Sequence, residues 1–278
     1  MISLEEASLL KCPFDRNSCR PIGGDKMTRG TDVKLTRQLL RILVLGIACV
    51  PLVSLWPVAS LYAQHNPSSA NVLLPPEHVP NLGRVKQLLK AYHDCTCKCG
   101  CYTAELNQQE RRAMAFLEKR ARARKPGEKL ALVLDIDETA LSNYSFYEAT
   151  DMGRIQKLFY PWIDTAQAPA IGGTLQLSQK ARALQVDVFF ISGRREPQRP
   201  ATETNLEAQG YADWSGLMLR PVNDTNDSVA VFKSSARQRI VDQAYHIILN
   251  VGDHLSDLSG EPAAELSVKL PNPFYFIP

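Results

Sequence analysis

Asp135 and Asp137 stand two residues apart directly after an apolar run, in Val133-Leu134-Asp135-Ile136-Asp137-Glu138-Thr139. Residues so spaced on an extended chain share a face, so both carboxylates can address one pocket. Two carboxylates that close repel unless a cation or a shared proton lies between them. An oxygen-only donor set suits magnesium, which takes few protein carboxylates and keeps water. By itself, D-x-D after a strand is also an ordinary turn or cap. A second acidic pair shifts that balance. The apolar run 247–251 ends in Gly252-Asp253-His254-Leu255-Ser256-Asp257. Gly252 permits a sharp turn. Asp253 then occupies a strand end like Asp135, and Asp257 lies one helical turn on. Charges at a core edge cost stability unless paired or metal-bound.

Two further features suit a phosphate. Ser192 ends the apolar run 188–191 and is followed by Gly193 and Arg194; a hydroxyl and free backbone N–H groups there can hold phosphate oxygens. Lys233, in Val231-Phe232-Lys233-Ser234-Ser235, falls near the start of a helical stretch, where its charge can neutralise both phosphate and aspartates. Each alone is what a turn or an exposed lysine looks like.

Stepping these residues into position requires strands. Segments 130–134, 186–191, 217–219 and 247–251 are continuous apolar runs separated by helical patterns. That predicts an α/β fold with a parallel sheet covered by helices on both faces. Residues 81–91 and 104–124 have helical spacing, and the interval 138–185 holds Tyr144, Phe146, Tyr147, Phe159, Tyr160 and Trp162. Most of these rings are expected to pack in the core; Tyr144, Phe146 and Tyr147, just past the strand that leads into Asp135, are candidates for stacking on a ligand. The loop 221–228 is a candidate rim for the same mouth.

The chain has 278 residues and a formal charge of +3. That balance gives no concentrated basic face for a nucleic-acid polymer. Arg29, Lys34, Arg37 and Arg41 precede the uncharged stretch 42–63, which ends among small residues. This is the layout of an export signal over residues 27–63, with 1–26 either an extension or an over-long start, the true one being Met27. Uncleaved, the same stretch is long enough to anchor the chain in a membrane, and a lipidated Cys49 is a third reading. The protein is therefore expected to be exported, periplasmic or secreted. Residues 64–103 are expected to be linker and Cys-rich segment, and 104–278 the functional domain. Cys95-Thr96-Cys97-Lys98-Cys99-Gly100-Cys101 is not spaced like an ordinary C-x2-C zinc site. A surface tail is the first reading and a soft-metal or redox site, with His93 and Asp94 nearby, the second.

In chain order, D-x-D-E-T after one strand, S-G-R after another, a lysine ahead of a helix and then G-D-x-x-x-D resemble the four motifs of the haloacid dehalogenase-like (HAD) superfamily. The runs 135–143 (DIDETALSN), 202–206 with Gly210-Tyr211, 252–258 (GDHLSDL) and 270–275 (LPNPFY) resemble its class C, subfamily IIIB, acid phosphatases. The resemblance spans about residue 82 to the C-terminus. It implies a HAD-like Rossmannoid sheet with a small, mostly helical cap at about 138–185. It also implies a mechanism. Asp135 is the nucleophile that forms an aspartyl-phosphate, and Asp137 is the acid and base. Mg2+ is held by Asp135, the Asp137 backbone carbonyl, Asp253 and Asp257. Ser192, Gly193 and Lys233 bind the phosphoryl group of a small phosphomonoester, with nucleoside monophosphates among the candidates. A phosphotransferase of the same fold, or a non-catalytic storage or metal-binding protein, is the competing expectation.

Overall fold

The computed structural model describes residues 79–95, 101–226 and 228–277. The export segment, Cys97 and Cys99 lie outside these residues. From Pro80 onward the described residues form one unit.

Two helices come first, α1 (Leu82–Asp94) and α2 (Tyr102–Arg122), followed by strand β1 (Lys129–Leu134). Two short helices, α3 (Tyr144–Ala149) and α4 (Gln156–Asp164), precede α5 (Gly172–Ala183) and β2 (Asp187–Arg195). The chain continues through α6 (Arg199–Ala208), β3 (Gly216–Arg220), α7 (Val229–Val241), β4 (Tyr245–Gly252), α8 (Leu255–Leu258) and β5 (Leu266–Lys269). All sheet pairings are parallel, in the order β3-β2-β1-β4-β5.

Strands buried on both faces must be apolar at every position, and β1 is buried from Leu130 onward. Alternation then divides each strand between two cores. Leu130, Leu132, Leu134, Val188 and Phe190 join the core formed with Leu117 of α2 and Leu177 of α5. Ala131, Val133, Phe189 and Ile191 meet Phe232, Ala236 and Ile240 of α7 on the other face. The expected fold class is therefore observed.

The four expected strands are all present, and a fifth, β5, was not foreseen. It is a four-residue edge strand with only Val268 buried, so its apolar pattern is too short to read. The cap is also shorter than expected. Helix α5 packs on α2 and β2 as the crossover between β1 and β2, so of the helices in this interval only α3 and α4 remain for a cap, and both send buried side chains into the core. The segment 64–103 is not all linker, because α1 packs against α2 within the folded unit. Helix α5 starts against α2 in an unusual way: Glu110 fills the place where a Cβ on Gly173 would fall, 1.9 Å from its Oε2.

Candidate active site

The carboxyl ends of β1 and β4 are neighbours in the sheet, which brings the two acidic motifs together. Asp135 follows β1, and its N–H donates to the Val251 carbonyl of β4 at 3.0 Å. Asp253 follows Gly252 at the end of β4, and Asp257 lies in α8. Gly252 is required by close approach: a Cβ there would fall 2.4 Å from the Asp257 Cβ. Carboxylate oxygens of Asp135, Asp253 and Asp257 lie within 4.8 Å of one another, all buried. Lys233, from α7, donates to Asp135 Oδ1 at 2.5 Å and also to Asp257 Oδ1. The Asp253 oxygens accept from Thr139 Oγ1 at 3.0 Å and Asn272 Nδ2 at 2.7 Å. Asp257 Oδ2 accepts from the His254 N–H at 2.8 Å.

These charges do not balance. Burial, reinforced by Asp257 and Asp253, drives the Asp135 carboxyl well above the usual range against the pull of Lys233. Burial, then Asp257 and Glu138, pushes Asp253 up to about 7. Burial alone would lower the Lys233 ammonium, but Asp135 and Asp257 outweigh it and hold it above its ordinary value. One ammonium against three carboxylates leaves room for a divalent cation, and the oxygen-only donor set fits magnesium. Asp135, Asp253 and Asp257 are the side chains that would hold it.

Asp137 sits differently. Arg194 Nε donates to its Oδ1 at 3.1 Å and Oδ2 at 3.2 Å, and Nη2 to Oδ1 at 2.8 Å. Asn143 Nδ2 donates to Oδ1 at 2.9 Å. Burial would raise this carboxyl, but Arg194 and Asn143 overcome it and hold it below the usual range. The Asp137 side chain thus belongs to Arg194 rather than to the metal-type cluster. Its neighbour Glu138, at a left-handed φ of 57°, turns into the interior. There burial and Asp137 push it up to about 8.

Over these groups lies a cavity of about 410 Å³, with Asp135, Asp137, Gly193, Lys233 and Asp257 among its walls. Ser192 is fully buried and not on the wall; its Oγ accepts from the Arg194 N–H at 3.2 Å. Arg220 at the end of β3 and Val229 at the start of α7 line the cavity, whereas no described residue of the loop 221–228 does. The aromatic candidates lie elsewhere. Phe146 and Tyr147 are core residues, with Tyr147 stacked on Phe274 at 5.5 Å. Tyr144 stacks on His93. Their faces are taken by protein rings, because α3 packs onto α1 and the C-terminal segment. The rings on the cavity are Phe159 and Tyr160 of α4 and Tyr275 and Phe276 near the C-terminus. Arg154 lies over Tyr275 at 4.5 Å.

Sequence reasoning named Arg194 only as part of S-G-R and gave no role to Asn143, Thr139 or Asn272. Asn143 and Thr139 lay inside the quoted run 135–143, whereas the Asn272 contact with Asp253 carries no local signal. Cys95 and Cys101 lie at the facing ends of α1 and α2, and burial and Cys95 raise the Cys101 thiol.

A profile described as HAD superfamily, subfamily IIIB (acid phosphatase), matches residues 55–278. The chain belongs to this family. Acid phosphatase 1 of Solanum lycopersicum is 37% identical over 148 residues, 52% of this chain and 58% of that protein. The stem 28 kDa glycoprotein of Glycine max is 36% identical over 155 residues, 54% of this chain and 61% of that protein. The chain thus matches less than two thirds of the length of either plant relative. Among solved structures, the class C acid phosphatase of Bacillus anthracis with tungstate bound superposes with a TM-score of 0.57 at 25% identity, covering 70% of this chain and 86% of that one.

Proposed function

We propose that this HAD subfamily IIIB chain is an exported, magnesium-dependent acid phosphatase acting on small phosphomonoesters. One observation carries the reading: Asp135 stands on the cavity wall between Lys233 and a buried acidic cluster, with Asp137 beside it. An Asp135 oxygen attacks phosphorus as the ester P–O bond breaks, and Asp137 gives a proton to the departing oxygen. Asp137 then takes a proton from the water that cleaves the aspartyl-phosphate, releasing phosphate and Asp135. Lys233 and the Gly193 backbone face the transferring phosphoryl group, whose charge is the main thing to stabilise. Asp135, Asp253 and Asp257 would hold the magnesium, which would supply positive charge to the site.

The rings and Arg154 around the cavity favour a leaving group that carries an aromatic ring, such as a phenol or the nucleoside of a nucleoside monophosphate. Export rests on the basic, apolar and small-residue layout of residues 27–63. Arg194 and Asn143 hold the Asp137 carboxyl below its usual range, so acidic conditions favour the protonated form that serves as the acid. Asp135→Asn is expected to lower phosphatase activity by about 1000-fold or more while the chain remains folded. Wild-type-like turnover by that variant, or full activity of the native chain in chelator, would remove the assignment.

A further inference from the structure

We propose that Trp162 and Asn143 form a positioning relay that orients the Asp137 carboxylate, so that the cavity-wall helix α4 also sets the geometry of proton transfer. The proposal rests on the reading of Asp137 as the acid–base residue. Phe159, Tyr160 and Ile163 of α4 face the cavity. Trp162, on the same helix, donates its indole N–H to Asn143 Oδ1 at 2.8 Å. An indole N–H only donates, so it fixes which end of the amide is oxygen. The Nδ2 end is then left to donate to Asp137 Oδ1 at 2.9 Å and Glu138 Oε2 at 3.2 Å. A flipped amide would set its oxygen against the Asp137 carboxylate and its NH2 against the indole N–H. The Asn143 side chain is fully buried, and its backbone N–H is tied to Glu138 Oε1 at 2.6 Å, so the amide has no other place to turn.

The relay also distinguishes the two Asp137 oxygens. Oδ1 accepts from Asn143 and from both Nε and Nη2 of Arg194, whereas Oδ2 accepts, among the described residues, from Arg194 Nε alone at 3.2 Å. Oδ2 is therefore the oxygen that carries the transferable proton. In the first step that proton passes to the bridging ester oxygen, which takes the electron pair of the breaking P–O bond, while an Asp135 oxygen bonds to phosphorus. A shift of α4 moves Trp162, Asn143 and hence Oδ2 relative to the leaving group.

The test compares the full chain with Trp162→Phe, which keeps an aromatic ring and removes the donor, and Asn143→Leu. Each is assayed in magnesium on 4-nitrophenyl phosphate, whose leaving group needs no proton, and on glycerol phosphate, whose leaving group does. Both variants are expected to lose about 10-fold in kcat/KM on the alkyl ester and about 2-fold or less on the nitrophenyl ester. The double variant should be no worse than Asn143→Leu alone, because the relay acts as one unit. Equal losses on both esters, or no loss from Trp162→Phe, overturn the relay. Asp137→Asn separates the two readings, read in kcat/KM, which reports phosphoryl transfer and not the later hydrolysis common to both esters: equal losses on both esters there overturn Asp137 as the acid, whereas a selective loss there with none in the relay variants overturns the relay alone.

Discussion

Lys233 touches two carboxylates of a buried cluster, and its removal would leave both charges without it. Truncating one partner of a buried ion pair costs about 3–5 kcal/mol. Lys233→Met is expected to lose stability of that order in urea unfolding without divalent cation, and less with magnesium present. Glu110 makes the opposite case. Burial raises its carboxyl above the ordinary value, against hydrogen bonds from Thr174 and the charge of Arg111. A carboxyl raised in the folded state is a penalty above its unfolded pKa, and the penalty fades as pH falls and the group takes its proton. Glu110→Gln is therefore expected to raise Tm at pH 7 more than at pH 4. An equal or reversed effect would mean that capping of α5 by the charged form outweighs burial.

At the scale of elements, the cavity wall is built by α4 and the C-terminal segment rather than by α3. Phe276 is 80% exposed while facing the cavity mouth, so it contributes little to the core. Phe276→Ala is expected to leave stability within about 0.5 kcal/mol and to raise KM for aryl phosphates without raising it for glycerol phosphate. Unchanged KM on both classes would show that the ring does not meet the leaving group. The same C-terminal segment also reaches the acidic cluster: Asn272 donates to Asp253, and Phe274 packs among Tyr102, Tyr144 and Tyr147. The segment therefore joins substrate wall, acidic cluster and core in a few residues.

For the whole molecule, the unbalanced acidic cluster predicts that folding depends on a bound cation. Magnesium that binds only the folded chain stabilises it by about 2.7 kcal/mol at 100 times its Kd. Thermal melts are expected to rise with magnesium in the native chain and to lose that rise in Asp253→Asn. Away from the site, Arg120 bonds both Glu128 and Glu265, tying α2 to the loop before β1 and to the start of β5. Arg120 and the Lys125 N–H hold the Glu128 carboxyl down at about 2. A depressed carboxyl stabilises the fold above its unfolded pKa, and that contribution is lost only as pH falls toward 2. This link therefore persists through moderately acidic conditions.

The acidic motifs were legible because each is local. D-x-D, S-G-R and G-D-x-x-x-D are short runs beside apolar strands, and the strands announce themselves by hydrophobicity alone. The sequence by itself therefore determined the fold class, the order of the motifs and the candidates Asp135, Asp137, Ser192, Lys233, Asp253 and Asp257. Tertiary structure decided what each one touches. Arg194 on Asp137 spans 57 positions, Asn272 on Asp253 spans 19, and Trp162 on Asn143 spans 19. It also decided that Tyr144, Phe146 and Tyr147 pack inward while Tyr160, Tyr275 and Phe276 meet the cavity. Spacing reports which residues share a face of one element; which element that face meets follows from the order of the sheet and the packing of helices upon it.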